Sequence, residues 1–122
     1  MTNVPASFFH YLAAWNTSKP NRIRDHLERA VAPDVLFVDP ANPPRGIDEL
    51  EATIVKARAD RPTATYHMTS GIDGHNQRYR YLWEVRIDGK LAVSGMDVTT
   101  VDANGAIVQI DGFFGDFPPL ES

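Results

Sequence analysis

The order of apolar and polar positions divides the chain in two. Up to residue 62 apolar residues recur at helical spacing, and from Thr63 onward they alternate. In "ASFFHYLAAW", Phe8, Leu12 and Trp15 fall on one stripe, with Tyr11 at its flank and His10 opposite, which predicts a first helix. Asn16 to Pro20 breaks it. A second helix follows, with Ile23, Leu27, Ala30 and Val31 on one face, ending before Pro33. "VLFV" at 35–38 is a short buried strand that reaches Asp39 and then a loop with Pro40, Pro43 and Pro44. "GIDELEATIVKARADRP" predicts a third helix with Ile47, Leu50, Ile54 and Ala57 facing inward. Asp48 and Glu49 suit the positive end of its dipole, Lys56, Arg58 and Arg61 suit the negative end, and Pro62 stops it.

Beyond Thr63 three hairpin signals, Asp73-Gly74, Asp88-Gly89 and Asn104-Gly105, divide residues 63–115 into four strands of an antiparallel meander. Three helices followed by a meander is an α+β domain with the helices packed on one face of a curved sheet. No repeat, linker or low-complexity segment interrupts residues 1–122, so one domain is expected. Only "DFPPLES" reads as a loose end.

The turns also constrain the register. A two-residue Asp88-Gly89 loop would set Arg80 opposite Asp97 and make an ordinary cross-strand ion pair. It would also mix Arg80, Glu84 and Arg86 with Val93 and Leu91 on one face. A three-residue loop ending in Gly89 slips the pairing by one and exchanges every side chain between faces. Tyr79, Tyr81, Trp83 and Val85 then share the face of Asp97, Val93 and Leu91, and the apolar pattern favours this register. If the "DANG" loop counts as even, Ile110, Gly112 and Phe114 join that face and Asp111 points away. The other face would carry Met96, Val98, Ile107 and Phe113, too apolar for water, which predicts a homodimer through the outer sheet face.

Composition narrows the function. The 122 residues are 43% hydrophobic and 23% charged, an ordinary globular balance for one domain with a full core. The net charge is −4, and no Lys/Arg cluster stands out, which argues against nucleic acid or an anionic membrane as a partner. With no cysteine there is no thiol chemistry, disulfide or cysteine-ligated metal. His10, His26, His67 and His75 lack ligand spacing, so no metal is expected. Neither a secretory leader nor an apolar run of membrane-spanning length is present, and a cytoplasmic protein is expected.

Two carboxylates stand out as candidates for chemistry. Asp39, before a proline at a strand end, is most economically a turn residue. Asp97 is unusual because acids are disfavoured within strands; a salt bridge to Arg80, a surface position or a functional role would each explain it. Tyr11 is by itself an ordinary core aromatic.

Taken together, "FFHYLAAWNTS", "VAPDVLFVDPANPPRG" and "SGMDVTTVDANGAIVQIDGFFG" resemble the nuclear transport factor 2-like superfamily. Within it they resemble the SnoaL-like polyketide cyclase and ketosteroid isomerase branch most. The resemblance covers nearly the whole chain and implies a cone-shaped, curved, antiparallel or mixed sheet wrapped around three N-terminal helices. It also implies a cofactor-independent isomerase that shifts a proton next to a carbonyl of a hydrophobic small molecule. By resemblance Asp39, in Asp39-Pro40, is the base, with Pro44-Arg45-Gly46 following at the family's spacing. Tyr11 and a protonated Asp97 would donate hydrogen bonds to the enolate oxygen. Burial would raise the pKa of both acids, whereas a nearby Arg80 would keep Asp97 ionised. Phe8, Trp15, Ile54, Tyr79, Tyr81, Trp83, Ile110 and Phe114 are expected to line the substrate pocket. The second Tyr that supports the first in ketosteroid isomerases is replaced here by Ile54. The same fold also houses non-catalytic binding and dimerisation modules, cyclases, dehydratases and epoxide hydrolases. An epoxide-hydrolase-like site needs an Arg bridging two Asp residues, and Asp111 is expected to face away from Asp97.

Overall fold

The computed structural model describes residues 4–43 and 45–121, so Pro44 of the proline loop lies outside the described residues. The elements run α1 (Ser7–Asn16), α2 (Pro20–Glu28), β1 (Val31–Val38), α3 (Gly46–Asp60), β2 (Ala64–Met68), β3 (Asp73–His75), β4 (Arg78–Ile87), β5 (Lys90–Val101) and β6 (Ile107–Phe114). The strands lie in the order β1-β6-β5-β4-β2, with β3 also on β4. β1 is parallel to β6 and every other pair is antiparallel, so the sheet is mixed. It curls around the three helices as the expected α+β cone.

Helical spacing explains α1, but its buried stripe is rotated by one position from the one read in the sequence. Ser7, Phe8, Tyr11 and Ala14 are buried, whereas Leu12 and Trp15 are half-buried. Tyr11 is therefore at the centre of the inward face. The Asn16 side chain fixes the end of this helix against β2: its Nδ2 donates to the Tyr66 carbonyl at 2.9 Å and its Oδ1 accepts from the Tyr66 N–H at 2.8 Å. α2 begins on Pro20, at a position where a missing N–H costs nothing. It ends at Glu28, earlier than expected, because the sheet captures Ala30 and Val31. The Ile107 N–H donates to the Ala30 carbonyl at 2.9 Å, and Val31 pairs with Ile107. Pro33 falls where the β1–β6 ladder is interrupted, which is where a strand tolerates a missing donor.

The meander also departs from its predicted turns. Asp73-Gly74 lies within β3, and the tight turn is made by Asn76 and Gln77, both at positive φ. The first strand of the meander is thus split into β2 and β3, both paired to β4. Between β4 and β5 the loop has two residues, Asp88 and Gly89, at φ 53° and 78°. The three-residue loop is not formed. Instead Arg86 pairs with Leu91 and Val85 with Val93, which leaves Ala92 as a one-residue bulge. The bulge makes the same slip and sets Tyr81 opposite Asp97. Leu91, on the turn side of the bulge, stays with Arg86 and is exposed, away from the Asp97 face.

A second irregularity operates between β5 and β6. Val101 pairs with Ile107 across a five-residue loop, yet Thr100 pairs with Gln109, so Val108 is extra. Ile110, Gly112 and Phe114 then face Thr99, Asp97 and Gly95, as an even loop would have placed them. Ile107 turns into the core at 1% exposure, and its expected place on the outer face is incorrect. The core joins Phe8, Ile23, Leu27, Leu50 and Ile54 of the helices to Val35, Ile107 and Ile110 of the sheet. Truncating Ile107 to Ala should therefore cost about 2–5 kcal/mol in urea unfolding, whereas a loss below about 1 kcal/mol would return it to the surface.

Candidate functional site

The helices fill only the closed end of the cone. At the other end the curved sheet and the inner faces of α1 and α3 enclose a cavity of about 580 Å³. That volume suits a small organic molecule. Tyr11, Trp15, Phe37, Tyr81, Trp83 and Phe114 supply aromatic wall, and Asp39 and Asp97 reach it from β1 and β5.

Asp97 is 9% exposed and sits at mid-strand on the concave face. The Tyr81 hydroxyl donates to Oδ2 at 3.0 Å and the Trp83 indole N–H donates to Oδ1 at 2.9 Å. Tyr81 is directly opposite on β4. Trp83 reaches over from two residues further along, across Gly95, where an added Cβ would lie 2.6 Å from its ring. Glycine at 95 is what lets the indole lie against the strand. Desolvation raises the Asp97 pKa to about 6; the two donated hydrogen bonds oppose the shift, while the Asp39 and Asp111 charges add to it. Arg80 does not oppose it: its guanidinium pairs with Asp73 on the outer face at 2.9 Å, and both partners are exposed. The cross-strand Arg80–Asp97 ion pair is absent.

Asp39 continues from the strand end into an Asx turn. Its Oδ1 accepts from the N–H groups of Ala41 and Asn42, both at 2.8 Å, and from Asn42 Nδ2 at 3.1 Å. Among the described residues Oδ2 has one long contact, 3.4 Å, to the same amide, and is the oxygen with spare accepting capacity. The turn residue and the cavity acid are one and the same. Gly112 lies between the two acids: a Cβ there would be 3.1 Å from both the Asp39 Cβ and Asp97 Oδ1, so these atoms are at most twice that distance apart. Tyr11 completes the group. Its pKa is raised well above the ordinary phenol value by burial first, then by the Asp97 and Tyr81 charges, partly offset by a hydrogen-bonding contact from Trp15. It stays a protonated donor.

The structure thus brings Tyr11, Asp39 and Asp97 to one cavity together with Trp15, Tyr81, Trp83 and Phe114. It does not bring the other expected lining residues there. Phe8, Ile54 and Ile110 are fully buried in the closed end of the cone. Tyr79 is partly buried and packs edge-on to Phe8, with ring centroids 5.1 Å apart. All four share the correct face, but lie too deep to reach the open end. Leu12, Phe37, Asn42, Tyr66 and Met68 line the cavity and were missed. Period-two spacing from Val35 could have marked Phe37, and spacing from Ala64 could have marked Tyr66 and Met68. Asn42 is placed only by the turn geometry.

The architecture, a curled mixed sheet around three helices with an acid-lined apolar cavity, is that of the nuclear transport factor 2-like proteins. The sequence profile of the SnoaL-like domain matches residues 8–110, and the chain belongs to that family. Among solved structures, a candidate isomerase of the SnoaL-like family from Agrobacterium tumefaciens C58 is similar over 91% of this chain and 96% of its own, with a TM-score of 0.84 and 29% identity. A nuclear transport factor 2-like protein of unknown function from Exiguobacterium sp. 255-15 aligns over 91% and 99% of the two chains, with a TM-score of 0.75 and 17% identity. A candidate polyketide cyclase from Sinorhizobium meliloti aligns over 89% and 94%, with a TM-score of 0.69 and 14% identity. The latter two show the fold alone. No curated protein matches the chain. Among the described residues no helix is long and apolar enough to cross a membrane.

The raised pKa of Asp97 carries a sign for stability. Its folded-state value, about 6, exceeds the ordinary 3.8, so the folded chain holds a proton that the unfolded chain releases in between. Its contribution is fully present below pH 3.8 and is lost as pH rises to about 6, by roughly 3 kcal/mol in total. Asp97→Asn cannot lose that proton. Its stability relative to wild type should improve by up to that amount between pH 4 and pH 7, read from urea unfolding at each pH; a constant difference would mean an unshifted carboxyl.

Proposed function

We propose that this protein is a cofactor-independent isomerase that moves a proton next to the carbonyl of a hydrophobic small molecule. The observation that carries this reading is the convergence of Tyr11, Asp39 and Asp97 on one apolar cavity, with Asp97 buried and its pKa raised by that burial to about 6. A C–H beside a carbonyl is so weakly acidic that the developing enolate oxygen needs donors already in place. Tyr11 and the neutral form of Asp97 are those donors. Asp39 Oδ2 takes the proton from one carbon and returns it to the other, and the Asx turn holds the carboxylate while it does so. A bound ligand excludes the remaining water from Asp97 and pushes its pKa further up, which favours the donor form when it is needed. The likeness to the candidate isomerase from A. tumefaciens supports the same assignment.

The reading is tested with a β,γ-unsaturated cyclic ketone, following the absorbance of the conjugated product. Asp39→Asn should lower turnover by about 10²–10⁴-fold while a phenol that mimics the enolate still binds, whereas unchanged turnover removes Asp39 from the mechanism. The pH profile separates the roles of the two acids. If Asp97 acts as donor, activity falls as pH rises through about 6 or slightly above; if Asp97 is the base, activity appears over the same range.

We also infer that the convex face of the sheet joins two copies of the chain. Leu82 and Phe113 are 49% and 57% exposed there, with Leu36 and Val38 of β1 beside them and Met96 and Val98 between. Cross-strand pairing sets Leu82 against Met96 and Met96 against Phe113, so the patch is continuous. Sedimentation should show a dimer that Leu82→Glu converts to monomer; a wild-type monomer at all concentrations would refute the interface.

A further inference from the structure

The cavity has a deep end, where Tyr11, Tyr81 and Asp97 are buried, and a mouth formed by the C-terminal turn of α3 and by β2. Lys56, Asp60, Arg61, Tyr66 and His67 line that mouth. Their charges do not cancel. Lys56 is neutralised by Asp60 at 2.8 Å, and Glu84, which pairs across the strands with His67, is neutralised by Arg86. Arg58 and Arg61 have no carboxylate partner among the described residues. Arg58 is committed to backbone: its guanidinium donates to the carbonyls of Ala64 and Pro62. Lys56 and Arg61 are both exposed cations that line the cavity, but among the described residues Arg61 is the one of the two without a carboxylate partner, on a chain whose net charge is −4. The field of both arginines is felt at the Tyr66 phenol, where it works against the burial that raises that group's pKa.

From this we infer that Arg61 is a specificity residue and that the substrate is an amphipathic carbonyl compound with an anionic group, such as a carboxylate, at the end remote from the reacting carbonyl. The inference rests on the cavity being the ligand site of the proposed isomerase. The aromatic wall sets the length of such a molecule. Tyr11 at the deep end touches Trp15 at a ring separation of 6.5 Å, and Trp15 touches Tyr66 at the mouth at 5.0 Å. Two ring contacts thus span the path from Tyr11 to Tyr66, whose ring centres lie no further apart than the two separations together, room for a fused bicycle carrying a substituent at each end. A guanidinium suits the outer end because it binds a carboxylate through paired, directed N–H groups. A negative group is also kept at the mouth by the acids inside.

Matched probes separate this from the reading on which it rests. 2-Naphthol presents only the phenol and the ring, whereas 6-hydroxy-2-naphthoate adds a carboxylate at the far end. By titration calorimetry at low salt and neutral pH the naphthoate should bind about tenfold more tightly than the naphthol. Arg61→Gln should remove that preference and leave the naphthol affinity in place, and Arg61→Lys should restore part of it. Equal affinities in the wild type, or a preference kept in Arg61→Gln, would overturn the role of Arg61 while the isomerase reading stands on naphthol binding. Binding of neither probe would overturn both.

Discussion

A carboxyl group held on the concave face of a sheet is costly unless something donates to it, and much of this fold is arranged around that constraint. Asp97 is supplied with one donor for each oxygen, from Tyr81 and Trp83. Those donors exist only because β4 and β5 pair in a register one step away from that of a plain two-residue hairpin. With the plain register Arg80 would stand opposite Asp97, and the pair would be a surface ion pair of little consequence. The single extra residue Ala92 makes the difference. Arg80, released from that role, forms an exposed ion pair with Asp73 across the β3–β4 hairpin.

The donors and the apolar surroundings act in opposite directions on the same proton. Burial favours the neutral acid and the two hydrogen bonds favour the carboxylate, which leaves Asp97 balanced near pH 6. A group at that balance responds to small changes in its surroundings, including exclusion of water by a ligand. Asp39 is treated differently. Its Oδ1 is tied by turn donors, and its reach into the cavity depends on the gap that Gly112 leaves between the acids. The two carboxyls are chemically alike and differ only in what surrounds them.

Some of the site was legible in the chain because its signals are local or periodic. Asp39 follows a short apolar strand, Tyr11 lies on an amphipathic helix, and Asp97 interrupts an alternating strand. The faces of β4, β5 and β6 near Asp97 also followed from alternation. Burial depth was not legible, because Phe8, Ile54, Tyr79 and Ile110 share the inward face with the lining residues but pack where helices already fill the cone. Both bulges were hidden for a related reason: a one-residue irregularity leaves no mark in a period-two pattern until the partner strand is known.

The sequence by itself determined the three helices, the meander order of the long strands β4, β5 and β6, the α+β class and the presence of two candidate acids and a phenol. These rest on propensity, periodicity and turn chemistry, which act over a few residues. Tertiary structure alone decided where α2 ends, that Ile107 belongs to the core, which donors Asp97 keeps and which aromatics reach the cavity. Those outcomes depend on pairing between residues far apart in the chain. There the free energy of burying a whole face of the sheet outweighs any local preference for helix or turn.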